Sequence, residues 1–504
     1  DARTLGLFSG QASINDREET ELSGTVAPEI GDGFAIVSGR WDRGDGFYTT
    51  PEADRVAATV PASFDAWSAS ARLVQPLNDD LELQIRGLAF DDQRVLRFRG
   101  ADTSTSGHDV SARLVGRGSW QLDALIYAQW RNFTNRVISS STYNLTLDQK
   151  DTPASGFGGK LEVRPPVGGG HTLRVGADFR RSEGDLAEDA FNAMSGALTS
   201  NRFAGGINSD IGFFVEDDWE LGPLTLTAGL RADQWNIGSG YYRAVNFSAA
   251  TGAVTSTVDN LFPSRSDWEV SYRAGAVFEA LDGLNLRAAV YSGLRLPTLN
   301  ELYRPFVVFP VTTNANAALE AETLRGYEAG IDWTPVRGVR LALTAFDNEV
   351  ENAITNVTIG VNERQRRNID AIKARGLEAA AQLQFGQFSF DGTVAYTDAE
   401  QRGTGPAAEL DGFIPSQTPD WAASATLAWR PRDGMQFAAT VQHVGDQYED
   451  DQQTDVLPAA TTVDLFAQVP LVGELSAVGR IENLFDEEVI TRNQGGSMDL
   501  GTPF

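Results

Sequence analysis

A period of two dominates this chain and limits what it can fold into. Leu224-Thr225-Leu226-Thr227-Ala228-Gly229-Leu230-Arg231-Ala232-Asp233 puts Leu, Leu, Ala, Leu and Ala on one face. Thr, Thr, Gly, Arg and Asp fall on the other, because successive strand side chains point to opposite faces. Segments 81–86, 284–291 and 339–346 repeat the scheme. About 21 segments of this kind, most of roughly ten residues, run between residues 4 and 484. The helix period is nearly absent.

The connections alternate in length. Short ones such as 77–80, 116–118, 221–223, 281–283, 335–338 and 431–434 are built from Pro, Gly, Asp and Asn, the residues of tight turns. Between them lie long loops at 45–64, 132–155, 182–208, 238–267, 295–322, 349–373, 398–418 and 445–460. In a compact soluble domain, loops this long would count against the strands. In an outer-membrane barrel they are the rule, with short periplasmic turns and long extracellular loops. Trp41, Trp67, Trp130, Trp219, Trp235, Trp333, Trp421 and Trp429 fall near strand ends, where aromatic girdles meet the two lipid–water boundaries. A closed barrel pairs every backbone group in lipid and has no free edge.

Composition sharpens this. The formal net charge of −28 excludes nucleic acid as a partner, since a phosphate backbone needs a basic footprint. With no Cys, disulfides, thiolate metal sites and thiol nucleophiles are excluded. His108, His171 and His443 are the three histidines, far apart in the chain, and form no metal or haem set. No stretch approaches 18 consecutive apolar residues, so no membrane-spanning helix is predicted. The expected fold is therefore all-β: a transmembrane antiparallel β-barrel occupying residues 1–504. Bacterial single-chain barrels have an even strand number. The odd count, with the loop-like tail Asp499-Leu500-Gly501-Thr502-Pro503-Phe504, predicts 22 strands with the closing one outside this chain. Twenty-two is the number found in plugged outer-membrane transporters.

Four stretches then carry a family resemblance. Tyr291-Ser292-Gly293-Leu294-Arg295-Leu296-Pro297-Thr298-Leu299-Asn300-Glu301-Leu302-Tyr303 resembles the "FRAPTLNELY" segment of TonB-dependent outer-membrane receptors. Residues 314–323, running into Tyr327-Glu328-Ala329-Gly330, resemble "NPNLKPET…YELG". Asn368 with Gly376-Leu377-Glu378 resembles the "N…GxE" opening of a strand, and Asn483-Leu484-Phe485-Asp486 the "NLFD" of the penultimate strand. Together they span roughly residues 284–490. Ala315 and Ala321 stand where the family usually has Pro, and Val489 where it often has Tyr. The resemblance implies a bacterial outer-membrane transporter that imports a scarce ligand. Its commonest cargo is a ferric siderophore, and the import is energised by TonB acting on a plug domain. That plug, like the closing strand, is expected outside residues 1–504. Two alternatives stand beside this reading. One is a plugless passive large-bore channel, and the other is import of a non-iron ligand such as an oligosaccharide. A structural or adhesin-like surface protein is a third class. No enzymatic step, cofactor or resident metal is implied.

The candidate ligand contacts lie in two of the long loops expected at the extracellular side. Tyr303, Arg304 and Phe306, within the apolar and aromatic run 303–310, suit stacking on a ligand, on a plug or on other loops. Arg364, Arg366 and Arg367 form a basic cluster in an acidic protein and suit an anionic iron chelate. The plainer explanation of the cluster is pairing with nearby acids, or contact with lipopolysaccharide phosphates and outer-membrane lipid. Glu449, Asp450 and Asp451 with Asp446 and Asp455 suit either a divalent cation or a solvated loop. The Gly-rich 155–160 lacks a phosphate-loop spacing and reads as a strand start.

Overall fold

Alternating strands that end in tight turns pair with their neighbours, and the chain does so throughout. The computed structural model describes residues 7–308, 310–495 and 497–501. Phe309 and the tail Thr502-Pro503-Phe504 lie outside the described residues. One 24-stranded sheet dominates. Glu29–Ile30, Leu145–Asp151 and Val254–Leu261 are short additions to its rim, and the other strands, about 21, form an antiparallel barrel wall. Each predicted segment is a strand of this wall, with residues 4–6 of the first one lying outside the described residues. Phe8–Ile14 pairs with Thr20–Val26 at one edge, and Leu475–Ile481 pairs with Ala460–Val472 at the other. Among the described residues no pairing joins the two edges.

The register separates an outer face from a lumenal one. Leu73, Ile85, Ala112, Ile126, Gly159 and Phe179 lie in one row across six strands. Ile126 is 61% exposed and Leu230 59%, which is sensible only where lipid replaces water. The opposite face is polar and paired. Arg231 donates to Asp178 at 2.6 and 2.9 Å and to Asp233 at 2.8 Å. Arg174 reaches Glu216 and Asp218, both at 2.7 Å, and Arg113 grips Asp123 with two bonds of 2.8 Å.

Aromatic rims bracket the wall. At the short-turn end Trp219 stacks on His171 with centroids 5.1 Å apart, and Trp429 packs between Phe388 and Phe437. At the long-loop end are Trp41, Trp67, Trp130 stacked on His108, and Trp421 against Tyr396. Trp421 to Trp429 is roughly 26 Å along the strand at about 3.3 Å per residue. A tilt of about 40° reduces that to roughly 20 Å, close to the apolar band of such barrels. Trp235 departs from the expected girdle. It pairs with Asp210 on the lumenal side and packs against a buried loop cluster instead.

The long loops differ most from expectation. His171–Phe191, Leu198–Leu221 and Leu224–Phe247 continue as strands well into segments that read as loops. Beyond the membrane both faces meet water or other loops, so the apolar stripe that marks a strand is lost while the hydrogen-bond ladder continues. At the other end, Leu475–Ile481 stops before Asn483, so the "NLFD" residues form a turn after the strand.

Candidate functional site

The segment after Leu284–Arg295 folds into the barrel mouth, and a short helix starts it. Thr298 accepts from the Glu301 amide at 3.2 Å, while the Thr298 amide donates to Glu301 Oε2 at 2.7 Å. This reciprocal cap satisfies two otherwise orphaned donors and starts the helix Leu299–Tyr303. Burial pushes the Glu301 carboxyl up. Hydrogen bonds from Arg295 and Thr298 outweigh that and hold it below the ordinary carboxylate range. The strand-period reading of the sequence missed this helix, which Thr298-x-x-Glu301 alone could have signalled.

The helix docks on the lumenal side of the extended strands. Leu302 and Tyr303 are buried with Leu186, Ala204, Ile237 and Leu319. Tyr303 stacks on Phe262 with centroids 5.0 Å apart. It also lies flat on two glycines. A Cβ at Gly206 would stand 2.9 Å from Tyr303 Cε2, and one at Gly240 would overlap the ring. Asn208 Nδ2 donates to the Pro297 carbonyl at 3.0 Å. Arg304 then reaches the wall. It donates to Glu188 at 2.8 Å and to Gln149 at 3.2 Å, and Arg202 reaches the same Glu188. Glu188 is 3% exposed, so both cations offset the cost of burying its charge.

A second layer lies on this one. Phe306–Val308 pairs with Val311–Asn314, which runs parallel to Glu363–Asn368, itself paired with Ile354–Gly360. Arg366 is buried here. Its Nη1 donates to the carbonyls of Asn300 and, at 3.1 Å, Arg304, and its guanidinium lies 4.9 Å from the Phe306 ring centroid. Asn316 Nδ2 donates to the Arg366 carbonyl at 3.0 Å. Asn368 ties three backbone groups together: the Glu320 amide and the carbonyls of Glu320 and Asn352.

The six candidate contacts therefore divide. Tyr303, Arg304, Phe306 and Arg366 meet in one brace inside the mouth. Arg364 turns away to Asp450 of another loop, at 3.2 Å. Arg367 leaves the strand on the opposite face from Arg366 and donates to Gln365 at 2.9 Å. Arg364 and Arg367 are half-buried and Tyr303 and Arg366 fully so. The carboxylates of the acidic loop are used in holding that loop and tying it to its neighbours. Asp450 accepts from Thr454 Oγ1 at 2.7 Å, Asp446 from the Ala459 amide at 2.6 Å, and Asp455 from the Gly495 amide at 3.0 Å. Sequence reading missed Glu188, Gln149, Gly206 and Gly240, all on the strand extensions or rim strands. Only the paired Gly205-Gly206 and Gly238-x-Gly240 hinted at a close approach there.

The comparisons agree with this architecture. Residues 30–484 match the family model "TonB dependent receptor-like, beta-barrel". The chain belongs to this family. The TonB-dependent receptor barrel also places it in the bacterial outer membrane. It is 25% identical over 462 residues to the vitamin B12 transporter BtuB of Vibrio vulnificus (strain YJ016), covering 86% of this chain and 68% of that protein. It is 24% identical over 458 residues to an iron-regulated outer membrane virulence protein of Vibrio cholerae serotype O1 (strain ATCC 39541 / Classical Ogawa 395 / O395), covering 84% and 62%. This chain thus spans about two thirds of the length of both. Among solved structures, the ferric yersiniabactin uptake receptor FyuA from Yersinia pestis superposes with a TM-score of 0.76 at 14% identity, covering 98% of this chain and 77% of that one. The copper transporter OprC superposes at 0.75 and 15%, covering 96% and 74%. At these identities the structural likeness shows the fold.

Proposed function

We propose that this TonB-dependent receptor barrel imports a scarce, bulky ligand, a ferric siderophore, energised by TonB through a plug inside the barrel. The observation that carries the reading is the braced loop layer in the mouth. A passive pore gains nothing from a buried Arg366 and a stapled helix across its entrance, whereas a receptor needs a pre-organised surface there. Arg364, Arg367 and the half-buried ring of Phe306 supply cationic and aromatic contacts to an anionic chelate. Tyr303, Arg304 and Arg366 hold that surface in place. A plug, and a strand pairing with both Phe8–Ile14 and Leu475–Ile481, complete the reading.

The relationship to a vitamin B12 transporter favours a second cargo, a cobalamin-like cofactor. Uptake of radioiron from a panel of siderophores, beside radiolabelled cobalamin, separates the two in a deletion strain. Loss of one ferric siderophore identifies the cargo. Unchanged iron uptake from every chelate, with cobalamin uptake lost, overturns the iron reading in favour of the second. Large ion conductance of the intact protein in a planar bilayer would instead favour an open channel.

A further inference from the structure

The outer wall carries a polar cleft unrelated to the mouth. It holds about 690 Å³ and is lined by Arg43, Asp65, Asp102, Arg136, Asp148 and Lys150. Its position follows from the register. Trp41 and Trp67 are opposite one another on the outer face, and two residues further along each strand Arg43 faces Asp65. Asp65 is opposite Gln93, Gln93 opposite Ser104, and Ser104 opposite Thr134. The cleft therefore sits outside the barrel, one step beyond the outer aromatic rim, at the depth of lipid headgroups.

The ion pairs of its two arginines are loosely made. Arg43 to Asp65 is 3.9 Å, Arg136 to Asp102 is 3.5 Å and Arg136 to Asp148 is 3.6 Å. The lumenal Arg231–Asp178 and Arg174–Glu216 pairs close to 2.6 and 2.7 Å. Arg43, Arg136 and Lys150 each keep about half or more of their side chain exposed. Arg43 and Arg136 are therefore available to a phosphate without breaking a tight contact, while Lys150, closed on Asp189, adds its remaining donors. The carboxylates, with Gln93 and the hydroxyls of Ser104 and Thr134, suit sugar hydroxyls.

Below the rim, three of the same strands border a second hollow of about 590 Å³ on the lipid face. Ala112, Ile126, Phe157, Gly159 and Phe179 line it. Small residues at Ala112 and Gly159 between larger ones leave a slot in the apolar wall. A charged cleft above and an apolar slot below, on one face, fit one class of molecule.

We propose that this face binds a phosphorylated glycolipid of the outer leaflet, its phosphate on Arg43, Arg136 and Lys150 and its acyl chains against the slot. The test compares proteins purified from outer membranes in mild detergent, with co-purified glycolipid quantified by native mass spectrometry. Arg43→Ala, Arg136→Ala and Lys150→Ala combined is expected to lower retention at least about tenfold, since each interfacial cation contributes modestly. A control removes three lumenal cations, Arg72→Ala, Arg86→Ala and Arg340→Ala, and is expected to retain the lipid. Should the outer triple variant fail the heat-modifiable gel shift of a folded barrel, Arg136→Gln alone is expected to lower retention by twofold or more. Rebinding is then measured with purified lipopolysaccharide, with its dephosphorylated form and with millimolar inorganic phosphate as competitor. Equal retention by outer and lumenal variants overturns the proposal, as does equal rebinding of dephosphorylated lipid. Full displacement by inorganic phosphate assigns the cleft to a free anion and overturns it too.

Discussion

The barrel wall and the brace in its mouth are made from one chain by opposite rules. On the wall the large apolar side chains point out, with Leu230 59% exposed, and charges face inward in pairs. In the brace the large apolar side chains are enclosed, Ile237 and Leu302 each 1% exposed, and single polar groups hold the backbone. The solvent explains the difference. Lipid rewards an apolar exterior, while water above the membrane rewards burial of about 1.5–3 kcal/mol per large side chain. The wall therefore depends on which face a residue takes. The brace depends on what that residue touches.

Charge reversal of the faces is the most severe test. Leu230→Arg puts a cation on the lipid face between the two aromatic rims and is expected to cost about 2–4 kcal/mol. Thr227→Arg, on the lumenal face of the same strand, is expected to cost less than about 1 kcal/mol. Denaturant unfolding in lipid vesicles measures both, and equal losses would mean that the faces are misassigned.

Filling the contact under Tyr303 comes next. Gly240→Ala places a methyl against the ring, and overpacking of this kind costs about 1–3 kcal/mol. The effect should stay local. Hydrogen exchange of amides 299–304 is expected to speed up while the wall strands stay protected. Faster exchange throughout the wall would deny that brace and wall are separable.

Removing the helix cap is a smaller step. Thr298→Ala is expected to cost about 1 kcal/mol of local stability, read from the same amides. Thr298→Ser should restore most of it, and no change in exchange would mean that docking alone forms the helix.

Acid has the smallest expected effect. The Glu301 carboxyl lies below its ordinary value in the folded brace. Its contribution is therefore present above the unfolded pKa, about 4.3, and is lost as pH falls through the lower folded value. Exchange at 299–304, corrected for the intrinsic rate, is expected to accelerate in strong acid. Glu301→Gln should remove that dependence, and an acid response surviving in the variant would assign it elsewhere.

Much of the wall is legible in the sequence. Leu284–Arg295, Glu322–Trp333 and Val339–Glu351 begin and end within a few residues of their alternating patterns, since a strand between lipid and lumen must alternate. Leu198–Leu221 and Leu224–Phe247 extend beyond their alternating patterns, because above the membrane neither face is uniformly apolar. Trp235 was grouped with the rims by position, yet its side faces inward. The basic run 364–367 was legible as charge, whereas its division between Asp450, Gln365 and two backbone carbonyls was not.

By itself the sequence determined the element type, the face that the alternating wall residues take, the alternation of short turns and long loops, and the family. All of these follow from local period and nearest-neighbour pairing, which a strand in lipid leaves little freedom to vary. Only the tertiary structure decided that Tyr303 lies on Gly206 and Gly240, that Arg304 crosses to Glu188, and that Arg366 props a helix rather than facing the solvent. It also decided that Arg43, Arg136 and Lys150 share one cleft. Those contacts join residues distant in the chain, and no local pattern records a partner that only folding brings near.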